Sequence, residues 1–290
     1  MKRFRKIKLN DKTWMDRCRE NSANDLTVLS FPAVFTWKDS FGLSVSGDEH
    51  FYVIRCDVED SYYYPVGEQD ACRNCVYAMM KEASEAGCLN HLKFLYIPER
   101  ELGWMEDLGF RISCEPNTSE YIYSSASLAL LDNNAGTNFR VKIRHFSRDN
   151  SWHARPLSFP EDNELLRRRV LEWDNTAPFV PDGEHLAVQA ASQAPVQIGL
   201  SGVYLETGRG EWAFLLGYQS TPRIYDMSFV KYSPDLSRNV VPVCISEMAK
   251  LVSGTFPYIN LEDDLGIPGL RNMKKLYHPL FLLGSYSACL

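Results

Sequence analysis

The sequence has 290 residues, enough for two domains with a core each, and its 45% apolar and 12% aromatic content is that of a folded chain rather than a disordered one. Its 31 Lys and Arg against 37 Asp and Glu, a net charge of −6, exclude a broad nucleic-acid surface but leave room for a local basic site. No window approaches a membrane-spanning run, and the basic Met1–Lys8 has no apolar stretch behind it, so neither a transmembrane segment nor a secretory leader is expected and the location reads as cytoplasmic.

In chain order, three strand-like runs, Gly42–Ser46, Phe51–Cys56 and Ser61–Pro65, lead into a helix predicted from about Ala71 to Ala86. Eight cysteines are spread along the chain without the density of a disulfide scaffold. Cys72-x-x-Cys75, followed by Cys88-x-x-His91, has the arithmetic of a zinc site. Against it, Val76, Met79, Met80 and Ala83 make the intervening stretch an amphipathic helix. Such a helix would span about 24 Å at about 1.5 Å per residue and hold the two halves apart, so no metal is expected. A strand at Leu92–Ile97, a helix at about Arg100–Leu108 and strand signals over Phe110–Tyr123 follow. Arg140, Lys142, Arg144, His145 and Arg148 then form a small basic block, either a charged surface or a face for a phosphate-bearing ligand.

Pro156 and Pro160 mark a linker, which divides the chain into domains 1–158 and 159–290. The second half opens with a helix over Glu161–Trp173 whose acidic residues lead and whose Arg167–Arg169 trail, in accord with the helix dipole. Strands at Val196–Leu205, Glu211–Gly217 and Arg223–Lys231, a helix over Val240–Val252, a short strand at Tyr258, a second helix and a last strand at Phe281–Tyr286 come next. Both halves share the order β-β-β-α-β-α-β. An α/β (α+β) fold of two similar units, each a mixed sheet flanked by helices, is therefore expected.

The densest signal is Tyr258-Ile-Asn-Leu-Glu-Asp-Asp-Leu-Gly-Ile-Pro-Gly-Leu-Arg-Asn-Met-Lys-Lys-Leu-Tyr-His-Pro279. A strand runs into an acidic turn and then a helix, with Pro268 in its first turn and Leu270, Met273 and Leu276 forming its expected apolar face. Arg271, Lys274 and His278 then fall on the other face, a grip for phosphate or carboxylate. This stretch resembles the end of the DUF2156 family, which includes the C-terminal catalytic domain of phosphatidylglycerol lysyltransferases. The matching positions are Tyr258, Ile259, Asn260, Glu262, Asp264, Gly266, Gly269, Leu270, Arg271, Lys274, Tyr277 and Pro279. Tyr63–Gly67, Ser119–Tyr123 and Lys142–Phe146 resemble further family blocks in family order. The resemblance implies two tandem GNAT-like (acyl-CoA N-acyltransferase-like) domains.

GNAT enzymes hold the pyrophosphate of acyl-coenzyme A on a glycine-rich loop ahead of a helix. Tyr64–Asp70 offers one glycine and two carboxylates, and Tyr232–Arg238 offers no glycine, so acetyl-CoA is the less favoured donor and no cofactor is assigned. In the relatives the acyl group arrives on transfer RNA. The resemblance then makes Glu262 and Asp264 candidates for binding the ammonium of an aminoacyl group or acting as base, and Arg271 and Lys274 candidates for anchoring phosphate. Asn260 and Tyr277 of the motif, and Asp226, complete the candidate binding set. Where relatives carry a His-x-Glu-Lys-like run, this chain has Tyr225–Phe229, with Asp226 and Lys231 as stand-ins. The reading is an acyl- or aminoacyl-transferase with a small acceptor and an aminoacyl-tRNA donor. The alternatives are a binding module that has lost its chemistry, an acyl-CoA-dependent N-acetyltransferase, and a structural partner.

Overall fold

A computed structural model describes residues 3–176 and 183–290. The chain forms two compact units, one of Met1–Thr118, Asp182–Ala187 and Gly284–Leu290, the other of Ser119–Pro181 and Val188–Leu283.

In the first unit, β1 (Arg5–Lys6), β2 (Leu43–Gly47), β3 (Phe51–Cys56), β4 (Ser61–Tyr63), β5 (Val66–Gly67), β6 (Lys93–Leu95) and β7 (Arg111–Cys114) are joined by a C-terminal strand, Tyr286–Cys289. That strand lies between β6 and β7 and pairs antiparallel with both. The parallel pair is β4 with β6, Tyr62 opposite Phe94. Two helices that the sequence reading leaves unassigned, α1 (Lys12–Glu20) and α2 (Phe31–Phe41), come first. For α2 the signals were present: the Ser30 side chain caps its start, Pro32 follows, and Gly42 ends it at φ 62°. Helix α3 (Gln69–Glu85) is continuous and α4 (Leu102–Asp107) is short. Cys72, Cys75, Val76 and Met79 of α3 face the core with Val53, Phe94 and Met105, whereas Cys88 is exposed.

In the second unit, β8 (Glu120–Ser124), β9 (Trp152–Pro156), β10 (Ser201–Thr207), β11 (Trp212–Gln219), β12 (Ile224–Tyr232), β13 (Tyr258–Asn260) and β14 (Phe281–Leu283) form a sheet of order β14-β8-β13-β12-β11-β10-β9. Here β12 and β13 are the parallel pair. The run Phe110–Tyr123 is thus two strands, β7 and β8, in different sheets, and Phe281–Tyr286 likewise splits into β14 and β15 (Tyr286–Cys289). Pro116 in one break and Gly284 in the other interrupt what reads as continuous β propensity. Each sheet takes the strand beside its parallel pair from a distant part of the sequence.

Helices α5 (Ser125–Leu130) and α6 (Thr137–Asp149), also unassigned from sequence, precede β9. Then come α7 (Asn163–Thr176), α8 (Glu184–Gln193), α9 (Pro195–Ile198), α10 (Val240–Val252) and α11 (Pro268–Lys275). The strand expected from Val196 begins only at Ser201, because Pro195 starts a helical turn that Gly199 ends at φ 81°. On one sheet face, Leu205, Leu215, Met227 and Ile259 pack with Phe139, Ile143 and Phe146 of α6 and Val243, Cys244 and Met248 of α10. The alternate residues of the same strands, among them Asp226 and Asn260, point to the other face.

Candidate functional site: a buried acidic cluster where two parallel strands part

The last rung of the parallel pair places Asp226 of β12 opposite Asn260 of β13. Beyond it the strands diverge, and β12 continues to Tyr232 alongside β11 alone. The β11–β12 register shifts between Leu216 and Gly217, where Phe229 and Met227 are the partners, so Ser228 is the extra residue of a bulge. The Ser228 hydroxyl donates to Asp226 Oδ2. Gly217 is required here, since a Cβ on it would sit 2.2 Å from the Asp226 carbonyl oxygen. Asp226 has no exposed surface, and its Oδ1 finds no hydrogen-bond donor among the described residues. Burial pushes its carboxyl well above the usual range, and the neighbouring Glu120 adds to the shift.

Glu120, the first residue of β8, is buried as well and accepts from Asn260 Nδ2 at 2.5 Å. On its other side Asn260 Oδ1 accepts from the backbone N–H of Glu262 at 2.7 Å. Asn260 therefore ties β8 to the acidic turn. Glu262 takes a left-handed conformation at φ 60° and Leu265 one at φ 50°, both rare for residues with a side chain.

Such strain persists only where neighbours fix it. The Asp264 carboxylate is fully buried and accepts from Arg271 Nε and Nη2, both at 2.8 Å, from the Tyr121 hydroxyl at 2.6 Å and from Gly266 N–H at 2.9 Å. Lys274 Nζ donates to the carbonyl oxygens of Leu261, at 2.5 Å, and of Asp263. The Glu262 carboxylate, by contrast, accepts no hydrogen bond from the described residues. Burial raises its pKa well above the carboxylate range, and Asp226 adds to that, while Lys274 opposes it. Burial also holds the Lys274 ammonium below its ordinary value, with Glu262 the largest opposing influence. Lys274 is the cation that acts on both Asp226 and Glu262 among the described residues. Two carboxylates around one ammonium in a desolvated space either retain a proton or take up a further cation.

The structure brings Glu262, Asn260, Asp226 and Lys274 together and places Asp264 and Arg271 beside them as a clamp on the turn. The face of α11 expected to be buried is only partly so: Leu270 and Met273 are half-buried and Leu276 is exposed, whereas Lys274 and, just past the helix, Tyr277 are buried. The two backbone carbonyls of the strained turn need a donor, and Lys274 supplies it from the inside. Tyr277 lies in the hydrophobic core, its ring 4.9 Å from that of Phe139. Lys231 sits over the Trp173 ring at 4.6 Å. It pairs with Phe214, four rungs along β11 from Tyr218, the partner of Asp226, or about 14 Å at the usual strand rise. Sequence reasoning missed Glu120 and Tyr121 as site residues, although both lie in a block it had marked. Two surface cavities of this unit, of about 450 and 260 Å³, are lined elsewhere, the larger by Arg155, Arg168, Arg169 and Tyr204. Its arginines already have carboxylate partners in Asp162, Glu172 and Glu206.

Comparison with known proteins follows the same lines. The family described as phosphatidylglycerol lysyltransferase, C-terminal, matches residues 22–289. A conserved protein of unknown function from Bacteroides thetaiotaomicron VPI-5482 superposes with a TM-score of 0.86 at 22% identity, covering 100% of each chain. The L-PGS structure from Bacillus licheniformis gives a TM-score of 0.66 at 16% identity, over 97% of this chain and 90% of that one. A tandem GNAT protein from the clavulanic acid biosynthesis pathway gives 0.50 at 8% identity, over 99% and 98%. No curated protein matches. The fold is a tandem of two GNAT-type units, and no helix among the described residues is long and apolar enough to cross a membrane.

Proposed function

We propose that this chain, which belongs to the phosphatidylglycerol lysyltransferase C-terminal family, is an aminoacyltransferase that moves an amino acid from an aminoacyl-tRNA to a small acceptor. The observation that carries the reading is the excess of buried carboxylate over cation where β12 and β13 part, with Asp226 Oδ1 lacking a donor. An ammonium group supplies both the missing charge and the missing donor, and every aminoacyl ester bears one. The pyrophosphate of coenzyme A supplies neither, and Arg271 and Lys274 of α11 are already engaged by Asp264 and by backbone carbonyls.

In this reading Asp226 and Glu120 receive the donor's ammonium. Glu262, its pKa raised by burial, takes the proton of the acceptor hydroxyl or amine as that atom attacks the ester carbonyl. Two of the three N–H bonds of Lys274 are occupied, which leaves the third for the developing oxyanion. The ester C–O bond then breaks, and the proton held on Glu262 passes to the departing ribose oxygen. Asp264, with both oxygens occupied, positions the turn and takes no proton.

The test is transfer of a labelled amino acid from a panel of aminoacyl-tRNAs to small hydroxyl and amine acceptors. Glu262→Gln is expected to lower kcat about a hundredfold or more, the scale of a lost general base, with the fold retained. A wild-type protein that transfers from none of the panel, or a Glu262→Gln variant as active as wild type, defeats the assignment.

A further inference from the structure

The larger of the two cavities, about 450 Å³, lies at the β9 edge of the second sheet. Its floor is the β9–β10 ladder, where Arg155 stands opposite Tyr204 and His153 opposite Glu206 on one face. The first half of α7 forms a wall with Arg168 and Arg169, and the turn at Thr207 and Gly208 closes one end. Tyr204 pairs in turn with Phe214 of β11, four residues from Tyr218, the partner of Asp226. The cavity is therefore displaced from the acidic cluster by about 14 Å along the strand direction.

Two of its charged side chains are fixed by partners. Arg155 gives both Nη atoms to Asp162 at 2.7 Å, with its guanidinium 5.6 Å from the centre of the Tyr204 ring. Arg169 donates to the Tyr204 hydroxyl at 3.1 Å and to Glu172 at 2.8 Å. Two others are not fixed. Arg168 makes no hydrogen bond among the described residues, and its carboxylate neighbour, Glu172, stands at 4.0 Å. Glu206 accepts none, with Arg169 at 3.8 Å. Both side chains are more than half exposed, and they do not pair with each other.

One cation and one anion thus face the same cavity with their hydrogen-bonding capacity open. A phosphate or dicarboxylate would gain Arg168 and be opposed by Glu206. A simple cation would gain Glu206 and be opposed by the guanidinium groups around it. A ligand carrying both signs gains from each. We propose that this cavity binds a free amino acid, its carboxylate on Arg168 and its ammonium on Glu206. His153, across the ladder from Glu206, offers a further acceptor, and Leu165 and Trp152 offer apolar surface to the amino-acid side chain. No group of the acidic cluster takes part, so the site does not depend on the transferase reading.

Isothermal titration of the full-length protein with a panel of free amino acids tests this, followed by the α-amide and the N-acetyl form of whichever binds. Arg168→Gln and Glu206→Gln should melt with wild type, since both side chains are exposed. Wild type is expected to bind at least one amino acid at millimolar concentration, and each variant to bind it about tenfold more weakly or worse, the scale of one charge-assisted hydrogen bond. The amide, which lacks the carboxylate, should bind wild type and Arg168→Gln equally weakly, and the N-acetyl form should do the same with Glu206→Gln. Asp226→Asn should bind as wild type does. A wild type that binds no amino acid of the panel, or variants that bind as tightly as wild type, overturn the proposal. Binding that is lost in Asp226→Asn and kept in the other two places the amino acid in the acidic cluster and overturns it as well. Phosphate or succinate bound more tightly than any amino acid, weakened in Arg168→Gln and strengthened in Glu206→Gln, would make the cavity an anion site instead.

Discussion

Arg271 and Asp264 form a two-pronged pair in which each carboxylate oxygen receives one guanidinium nitrogen at 2.8 Å, the carboxylate fully buried and the guanidinium 35% exposed. A fork of that kind suits Arg and not Lys. Its position between the acidic turn and α11 makes it the fastener of the strained residues Glu262 and Leu265. Arg271→Ala should leave a buried carboxylate with only Tyr121 and Gly266 as donors, lowering the melting temperature by about 5 °C. It should also cut activity, because Glu262 is no longer held. Arg271→Lys should recover part of the stability and little of the activity. Thermal melts and initial rates on the three proteins decide this. An alanine variant indistinguishable from wild type in both would mean that the turn keeps its shape without the clamp.

Acid should reveal the same pair. Arg271, with help from Tyr121, holds the Asp264 carboxyl down to about 2, below the 3.8 of a free aspartate. A group whose folded pKa is depressed stabilises fully above its unfolded value and loses that contribution as pH falls through the folded one. Wild type should therefore lose stability between about pH 4 and pH 2, and Asp264→Asn, already less stable at neutral pH, should lose less across that window. Chemical denaturation at closely spaced pH values measures the difference. Parallel curves for the two proteins would show that Asp264 contributes no proton linkage.

Much of the second unit was legible in the sequence, and what was not has identifiable physical causes. Helix α10 runs over the predicted Val240–Val252 because its apolar periodicity is unbroken. The exchange of β8 and β15 between sheets was invisible, because period-two patterning marks a strand but not its partner. The motif residues Asn260, Glu262 and Lys274 do converge with Asp226, yet Lys274 reads from sequence as part of a polar-face grip for phosphate. Its burial depends on two carbonyls of a left-handed turn, which side-chain spacing does not encode. Glu120 was hidden for a related reason, since it reaches the cluster only by strand pairing with a segment 140 residues away.

Gly217 offers a test of the bulge. A Cβ there would lie 2.2 Å from the Asp226 carbonyl oxygen and 2.6 Å from the Tyr225 ring, so Gly217→Ala forces β11 and β12 apart at the cluster. Overpacking of this kind costs about 1–3 kcal/mol, and the displaced Asp226 should raise KM for the aminoacyl donor. Gly254→Ala, with nothing within 4 Å of the added carbon, is the control and should be close to neutral. Equal stability and KM in the two variants would show that the bulge absorbs the methyl group without moving Asp226.

The buried carboxylates predict an exchange of stability for activity. Asp226 and Glu262 both have pKa values raised by burial, so at neutral pH and above the folded protein either keeps protons that the unfolded chain has released or holds charges that the unfolded chain would carry more cheaply. For a carboxyl whose folded pKa is raised, stability is greatest below the unfolded value and declines as pH rises toward the folded one. Asp226→Asn removes one such charge, keeps the size of the side chain and can donate to Glu120 or accept from Ser228. It should stabilise the protein at pH 8, by roughly 1 kcal/mol or more, the equivalent of about one pKa unit, and the gain should vanish near pH 5. Activity should fall over the same range, because a neutral amide holds an ammonium poorly. Denaturation and transfer rates of wild type and variant at the two pH values measure both effects. If Asp226→Asn is destabilising by the same amount at pH 5 and pH 8, Asp226 is an ordinary structural carboxylate, and the cation-binding role assigned to the cluster loses its physical basis.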